Sequence, residues 1–254
     1  MTALTLPTSS TNTSPAKQLA VVTGASRGLG FESARGLASA GFDLALVARD
    51  ETRLQDAARS LLAEFPDIEV YCCPADLEQP DETRAVISTI STFRQVTVLM
   101  VAHGVMSEKM SKTLRTNDAE WRRVMAINLD SVFALLNGLV PPMVEARLGR
   151  VIVYSACMGR MSGPGNTGGY APYRVSKAAV NALIRNLAHE TGLGSRGVLI
   201  DAVCPNHSRT DMGGPNAPRS AAEGAATSIW LATRAFTSGD ITGVLWEDEQ
   251  IVTW

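Results

Sequence analysis

Tyr173 and Lys177 are the residues of this chain whose types and spacing most directly suggest chemistry. They stand four positions apart, and on a helix that spacing places both side chains on one face, within reach of the same small volume. A phenol has an unperturbed pKa of about 10 and donates a proton poorly at neutral pH. Because a neighbouring cation favours the phenolate, we expect Lys177 to lower the pKa of Tyr173 and make it a usable proton donor to a carbonyl oxygen.

A glycine-rich turn near the start of the chain has the composition of a phosphate site. The run Thr23-Gly24-Ala25-Ser26-Arg27-Gly28-Leu29-Gly30 joins an apolar stretch to a predicted helix. Glycines permit a tight turn and a close approach of the backbone to a pyrophosphate, which then lies at the helix N-terminus. The spacing is G-x-x-x-G-x-G, whereas the general dinucleotide fingerprint is G-x-G-x-x-G. The alternative is a glycine-rich turn without function.

Composition and charge describe an ordinary globular protein. The 254 residues are 45% hydrophobic and 19% charged, with a net charge of −2, which gives no reason to expect nucleic-acid or anionic-membrane binding. We expect no apolar run to reach the length needed to span a bilayer. Residues 1–17 are rich in Thr, Ser, Asn and Pro and lack the features of a secretory signal, so we expect a flexible tail and a cytoplasmic protein.

The four cysteines are Cys72, Cys73, Cys157 and Cys204, and none of them forms a CxxC motif. We interpret them as buried free thiols in a reducing compartment. A zinc site would need His or Cys partners that the spacing does not supply, so we expect no metal.

Short apolar strands alternate with amphipathic helices along the chain. Strands are predicted at 18–23, 44–47, 68–73, 96–101, 151–154 and 198–203. Helices are predicted at 29–40, 52–64, 81–93, 118–145 and 173–191, and Pro141-Pro142 should bend or interrupt the fourth. Because strands that are apolar throughout are buried on both faces, residues 18–254 are predicted to form one doubly wound α/β domain with a parallel sheet. Its sites should lie at the carboxyl ends of the strands.

These motifs together resemble the short-chain dehydrogenase/reductase family. The likeness rests on Thr-Gly-x-x-x-Gly-x-Gly near the N-terminus and Tyr-x-x-x-Lys far downstream, and it extends from about Leu19 to Trp254. The stretch 211–215 and the terminal Trp254 are similar to the carbonyl-reductase-like members. The resemblance implies a single Rossmann-type domain and an NAD(P)-dependent oxidoreductase that reduces a ketone or aldehyde, or oxidises the alcohol. It leaves the oligomeric state open, since many members are homodimers or homotetramers through two long helices and some carbonyl-reductase-like members are monomers.

The resemblance implies particular site residues as well. Asn128 would help to hold a water that links Lys177 to solvent, and Lys177 would also bond to the nicotinamide ribose. Asp76-Leu77 would contact the adenine, and Thr210 would lie over the nicotinamide. The implied cofactor-binding set is Gly24, Ser26, Arg27, Gly28, Leu29, Gly30, Arg49, Asp76, Leu77, Ala102, Gly104, Tyr173, Lys177, Pro205 and Thr210.

Charge at the end of the second strand bears on the choice of cofactor. Ala48 stands where NAD-dependent relatives carry an acid for the ribose 2′-hydroxyl, and Arg49 follows it. With Arg27 from the glycine turn, Arg49 would form a clamp for a 2′-phosphate. We therefore expect NADP(H) rather than NAD. The alternative is that both arginines are solvated and Asp50 binds the ribose.

The chain departs from the family at the serine that holds the substrate carbonyl. That position falls on Ala156, either by natural divergence or by engineering. Ser155, one residue earlier, is the candidate catalytic replacement, but neighbours on an extended segment point in opposite directions, so the backbone would have to turn. Losing one hydrogen-bond donor to a developing oxyanion lowers the rate on the order of 10²- to 10³-fold.

Two further departures concern histidines. The family's Asn-Asn-Ala-Gly is here Val101-Ala102-His103-Gly104, and His103 is either a general acid or base or a hydrogen-bonded structural residue. The family's Pro-Gly turn is Pro205-Asn206, and since Asn tolerates positive φ the turn can survive. His207 either lines the substrate pocket with Ala156 or is simply exposed. These departures leave a second hypothesis open: a protein that keeps the pocket for binding, regulation or a non-redox reaction such as cyclisation or dehydration.

Overall fold

Eight strands form one sheet in the computed structural model, which describes residues 17–108, 111–163, 167–235, 237 and 239–254. The strands are β1 (Leu19–Thr23), β2 (Asp43–Ala48), β3 (Val70–Pro74), β4 (Val96–Val101), β5 (Gly149–Tyr154), β6 (Val198–Val203), β7 (Leu245–Glu247) and β8 (Gln250–Val252). Their order is β3-β2-β1-β4-β5-β6-β7-β8, and every neighbouring pair is parallel except β7 with β8. Residues 1–16 of the predicted tail lie outside the described residues.

Helices cover both faces of the sheet. They are α1 (Gly28–Ser39), α2 (Glu51–Glu64), α3 (Pro80–Ser91), α4 (Asp118–Met125), α5 (Ser131–Ala146), α6 (Ala171–Glu190) and α7 (Ala221–Thr233). One core lies between the sheet and α3, α5 and α6, and the other between the sheet and α1, α2 and α7. Because β1, β2, β4, β5 and β6 are buried throughout, each strand contributes to both cores. The predicted doubly wound, Rossmann-type class is confirmed.

The strand order places several loops at one edge of the sheet. The strand order reverses between β1 and β4, which are parallel neighbours although β2 and β3 separate them in sequence. In register, Thr23 is paired with Val101, and Tyr154 with Val203, so the segments after these strands all leave from the same edge. In open α/β folds, ligands bind at the point where the strand order reverses.

The long helical segment differs from its prediction. Pro141 and Pro142 do not interrupt α5. Each proline removes only the hydrogen bond that its own N–H would donate, and the hydrogen bonds of neighbouring residues maintain the helix. The irregular part lies earlier, in a π-helical turn at Ala126–Asp130 that separates α4 from α5. Contrary to the expectation above, residues 118–146 are long and apolar enough to cross a membrane by length and composition alone. Within them, Leu135, Leu139 and Met143 are buried against the sheet, as in a core helix.

Candidate active site

Helix α6 presents the Tyr173–Lys177 pair to the edge of the sheet. The helix begins directly after Tyr170, whose φ of 52° is left-handed and turns the chain into the first helical turn. Tyr173, Ser176 and Lys177 all face inward, with exposed fractions of 6%, 0% and 5%. The Lys177 Nζ lies 5.9 Å from the centroid of the Tyr173 ring. The spacing of four residues therefore brings the phenol and the ammonium together, as predicted.

Lys177 is fixed by the last residue of β5. Its Nζ donates a 2.7 Å hydrogen bond to the backbone carbonyl oxygen of Tyr154. Burial disfavours the charged ammonium and lowers the pKa of Lys177 to about 8. Lys177 is therefore mostly protonated at neutral pH and titrates just above it.

The pKa of Tyr173 moves opposite to our expectation. Burial raises it well above the ordinary value for a phenol, and charge on the thiols of Cys204 and Cys157 would raise it further. The predicted lowering of this pKa is therefore wrong, because desolvation of the buried phenolate sets the direction of the shift. Tyr173 is a neutral phenol near neutral pH, which is the protonation state that a proton donor needs.

Asn128 connects α6 to the segment after β4. It lies on the π-helical turn and is fully buried. Its Nδ2 donates to the carbonyl oxygen of Val105 at 2.9 Å and to Ser176 Oγ at 3.0 Å, and its Oδ1 accepts from the Val105 N–H at 2.8 Å. The Asn128 side chain thus holds the part of α6 that lies between Tyr173 and Lys177. The role of Asn128 in a proton relay stays a prediction.

The serine position holds Ala156, and Ser155 faces away into α6. Ala156 is buried, with extended backbone angles (φ −160°, ψ 153°), and a short helical turn at Cys157–Gly159 follows it. The Ser155 hydroxyl donates to Asn181 Oδ1 and, at 3.4 Å, to the carbonyl oxygen of Lys177. A catalytic Ser155 would have to point into the site, whereas this hydroxyl points away from it. The reason is that successive side chains of an extended chain point in opposite directions.

A cleft of about 900 Å³ runs along the carboxyl ends of the strands beside the glycine turn. Gly24 has φ +67°, and a Cβ there would lie 2.9 Å from the His103 Cα. At Gly30 a Cβ would lie 2.2 Å from the Gly24 carbonyl oxygen, so both positions accept only glycine. Of the predicted cofactor residues, those that line the cleft are Gly24, Ser26, Arg27, Gly28, Leu29, Gly30, Arg49, Asp76, Leu77, Ala102, Gly104 and Thr210. This tight cradle at the start of α1 fits a dinucleotide pyrophosphate.

Both predicted phosphate-binding arginines border this cleft, and each has an acidic neighbour. Arg27 forms an ion pair with Asp211, and Arg49 lies 3.9 Å from Asp76. Asp50 is the N-cap of α2, where its carboxylate accepts from the Arg53 N–H at 3.0 Å. Because Asp50 already caps a helix, the geometry favours the arginine clamp over the alternative in which Asp50 binds the ribose.

His103 is a structural residue. Its Nδ1 lies 2.7 Å from Thr23 Oγ1, and its Nε2 lies 2.8 Å from Ser131 Oγ and 3.1 Å from the carbonyl oxygen of Ile127. Burial, together with the nearby charge of Lys177, lowers the pKa of His103 to about 3, so the ring stays neutral. These contacts support the interpretation as a hydrogen-bonded structural residue, in which His103 joins β1, β4 and the π-helical turn at one wall of the cleft.

The comparisons with known proteins identify the family. The model for short chain dehydrogenases matches residues 18–220. The chain belongs to this family. As a short-chain dehydrogenase it is an oxidoreductase that acts on small molecules.

Relatives of this short-chain dehydrogenase include two curated reductases. The chain is 32% identical over 196 residues to the 3-oxoacyl-(acyl-carrier-protein) reductase FabG of Staphylococcus epidermidis, covering 76% of each chain. It is 31% identical over 196 residues to the corresponding Escherichia coli K12 protein, covering 77% of this chain and 75% of that one. The narrower likeness to carbonyl-reductase-like members stays a prediction.

Two solved structures share the fold of this short-chain dehydrogenase. The L-sorbose reductase of Gluconobacter frateurii, complexed with NADPH and L-sorbose, superposes with a TM-score of 0.79 at 25% identity, covering 91% of this chain and 95% of that one. A short-chain dehydrogenase of Sphingobium yanoikuyae in complex with NADPH gives a TM-score of 0.74 at 24% identity, covering 84% and 83%.

The turn after β6 has the backbone that was expected. Asn206 has φ 58°, so it does adopt the positive φ that glycine takes in the family's Pro-Gly turn. His207 is exposed, its Nε2 lies 2.8 Å from the Gly213 carbonyl oxygen, and it does not line the described cleft. Its contact with substrate stays a prediction.

One feature beside Tyr173 was not found from the sequence. Cys157 follows β5 and Cys204 follows β6, and negative charge on either thiol would raise the pKa of Tyr173. The spacing of the cysteines along the chain carries no sign of this proximity, because it arises at the ends of two neighbouring strands. The register of β5 against β6 is the information that would have shown it.

Proposed function

We propose that this short-chain dehydrogenase is an NADP(H)-dependent reductase that converts a ketone or an aldehyde into an alcohol, or runs the reverse oxidation. The observation that carries the proposal is the buried Tyr173–Lys177 pair at the edge where the dinucleotide cleft lies. Gly104 connects the two, since it lines the cleft and a Cβ on it would lie 3.5 Å from the Lys177 Nζ. A proton donor and a cofactor cleft thus share one region.

The cofactor of this chain is NADP(H). The sorbose reductase and the Sphingobium enzyme both bind NADPH. In this chain Ala48 offers no carboxylate to a ribose 2′-hydroxyl, and Arg27 and Arg49 border the cleft with the positive charge that a 2′-phosphate requires. When bound, NADPH supplies the hydride for the reduction.

Tyr173 donates its phenolic proton to the substrate carbonyl oxygen. Lys177, positively charged below about pH 8, stabilises the phenolate that remains after the transfer. Its hydrogen bond to the Tyr154 carbonyl and the bond from Asn128 to Ser176 hold the phenol and the ammonium in position. Ala156 contributes no hydrogen bond to the developing oxyanion, so we expect a slow enzyme.

A second candidate is a non-redox use of the same pocket, for binding or for a cyclisation or dehydration. Two observations favour it: Ala156 in place of a serine, and a Tyr173 whose burial makes it a weak acid. Against it stands the intact set of Tyr173, Lys177 and Asn128.

Absorbance at the reduced-nicotinamide band separates the two candidates. The purified protein is mixed with NADPH and a panel that contains a 3-oxoacyl thioester, ketoses and aldehydes, and products are quantified in parallel. Stoichiometric loss of NADPH with alcohol formation supports the reductase. Product without NADPH consumption supports the non-redox candidate, and the absence of both NADPH binding and turnover would contradict the proposal.

We also propose that the protein is cytoplasmic and self-associates through α5 and α6. Phe133 on α5 and Val175 on α6 are large apolar side chains with exposed fractions of 56% and 44%. Light scattering on the purified protein and on Phe133→Glu tests the assembly. A wild-type monomer would contradict it.

A further inference from the structure

An ion pair between Arg27 and Asp211 joins two segments that line the dinucleotide cleft. Arg27 belongs to the glycine turn before α1, and Asp211 belongs to the segment after β6, 184 positions further along the chain. The Arg27 Nη1 donates a hydrogen bond to the Asp211 Oδ2. Both residues line the cleft, so the ion pair connects two of its walls.

The segment that carries Asp211 lies close to the glycine turn. Asp211 is part of a turn at residues 210–214, which the Gly214 N–H closes by donating to the Thr210 carbonyl oxygen at 2.8 Å. This turn also touches the glycine turn, because a Cβ on Gly28 would lie 3.2 Å from Thr210 Cγ2. The backbone of the 210–214 turn therefore holds the Asp211 carboxylate within reach of the Arg27 guanidinium.

The ion pair is open to solvent. The exposed fractions of the two side chains are 57% for Arg27 and 70% for Asp211. An exposed ion pair contributes little free energy, because water weakens the attraction and two flexible side chains must be ordered to form it. Opening the pair leaves neither charge buried. A stronger anion can therefore displace Asp211 from Arg27 with little loss of free energy.

The 2′-phosphate of NADP(H) is such an anion. A phosphate monoester carries about −1.5 to −2 charges at neutral pH and three acceptor oxygens, whereas a carboxylate carries one charge. Arginine binds phosphate through two parallel N–H···O bonds, which are stronger than bonds between neutral groups. The ribose 2′-hydroxyl of NAD(H) has no charge, so it does not compete with Asp211 for Arg27.

We propose that Asp211 is a specificity-determining residue for the cofactor, because its carboxylate competes with the 2′-phosphate of NADP(H) for Arg27. Binding of NADP(H) exchanges one ion pair for another, whereas binding of NAD(H) leaves the Arg27–Asp211 pair intact. Asp211 therefore weakens the preference of the enzyme for NADP(H) over NAD(H). This inference rests on the proposed function, in which Arg27 and Arg49 bind the 2′-phosphate.

Fluorescence titration of Asp211→Asn with NADPH and with NADH tests the competition without any turnover. Asparagine keeps the size of the side chain and removes its charge. We expect the variant to bind NADPH about three- to fivefold more tightly than the wild type, since an exposed ion pair opposes binding by about that factor. The Kd for NADH should change by less than about 1.5-fold. Unchanged or weaker NADPH binding would overturn the proposal, and so would an equal gain for NADH.

A double-mutant cycle shows whether Asp211 acts through Arg27. In the Arg27→Ala background Asp211 has no guanidinium to compete for, so Asp211→Asn should change the Kd for NADPH by less than about 1.5-fold. An equal gain with and without Arg27 would mean that the carboxylate only repels the phosphate, which would refute the competition. Asp56→Asn is the matched control, because Asp56 pairs with Arg59 on α2 and does not line the described cleft. It should leave both Kd values unchanged.

Two probes distinguish a failure of this proposal from a failure of the proposed function. Adenosine 2′,5′-bisphosphate carries the 2′-phosphate without the nicotinamide, and adenosine 5′-monophosphate lacks both groups. Calorimetric titration should show that the wild type prefers the bisphosphate, and that Asp211→Asn increases this preference about three- to fivefold. A wild-type preference that the variant leaves unchanged would overturn the competition alone. The absence of any preference in the wild type would overturn both the competition and the assignment of NADP(H).

Discussion

Lys177 bonds through its ammonium to the carbonyl oxygen of Tyr154 at 2.7 Å, and this contact ties α6 to the end of β5. Tyr154 is itself immobilised, because its phenol is buried between Ser33 Oγ at 2.9 Å and Ser228 Oγ at 2.6 Å. The lysine therefore has a fixed position immediately before the segment where the family carries its substrate-holding serine. We infer that the position of the ammonium is set by the sheet rather than by α6 alone.

The pH dependence of reduction should reflect the pKa of Lys177. Burial lowers this pKa to about 8, so the ammonium is present below that pH and is lost as the pH rises through it. We expect kcat/KM for carbonyl reduction to fall above about pH 8. Lys177→Arg keeps the charge over this range, so in any residual activity the fall should disappear. A fall at the same pH in the arginine variant would assign it to another group.

Restoring the missing hydroxyl should accelerate the reaction. Ala156→Ser adds a donor to the developing oxyanion, and we expect kcat to rise by about 10²-fold. Ala156→Gly, which changes the same position without adding a hydroxyl, is the control and should give no gain. An unchanged or lower rate in the serine variant would show that another donor already occupies this role.

Discrimination between the two nicotinamide cofactors should depend on the two cleft arginines. Arg27→Ala and Arg49→Ala each remove a charge-assisted bond to the 2′-phosphate, and we expect each to weaken NADPH binding by about 10- to 100-fold. Binding of NADH should change little. Arg35→Ala is the control, since Arg35 pairs with Glu64 and does not line the described cleft. Fluorescence titration of the reduced cofactor measures all these affinities, and equal losses for NADH and NADPH would contradict the clamp.

Asp201 should make the stability of the fold depend on pH. Burial raises the pKa of this β6 carboxyl from 3.8 to about 6, although Trp246 and Arg234 partly offset the effect. The folded state therefore binds the proton more tightly than the unfolded state, and stability falls as the pH rises from about 4 to about 6. Asp201→Asn should remove this dependence and stabilise the protein at pH 7 by about 1 to 3 kcal/mol.

Urea unfolding at several pH values between 4 and 8 tests this expectation. The variant should gain stability relative to the wild type mainly above pH 6. Parallel pH profiles for the two proteins would show that Asp201 is not the group responsible.

The central strands, the glycine turn and the inward face of α6 could be predicted because their signals are local. An apolar run such as 96–101 indicates burial by itself, and a spacing of four residues fixes a helical face. The last two strands of the sheet were missed for a physical reason. Strands β7 and β8 have only three residues each, and β7 owes its place to pairing with β6, which is distant in sequence. Helix α7 was also missed, although Ser220 and Glu223 form a capping box that is visible in the sequence.

The electrostatics of the site could not be predicted, because they depend on burial and on contacts between distant segments. The raised pKa of Tyr173 comes from desolvation that no spacing reveals. Predicting the hydrogen bond from Ser155 to Asn181 would have required the direction of one side chain at a strand end. The placement of Cys157 and Cys204 at neighbouring strand ends required the register of β5 against β6.

The most direct test of the account is a comparison of the wild type with Tyr173→Phe, in which NADPH affinity and NADPH-dependent turnover are both measured. Phenylalanine keeps the ring and removes only the phenolic proton. We expect kcat to fall by about 10²- to 10⁴-fold while the Kd for NADPH changes by less than about threefold. Turnover at the wild-type rate in Tyr173→Phe would contradict the assignment of Tyr173 as the proton donor.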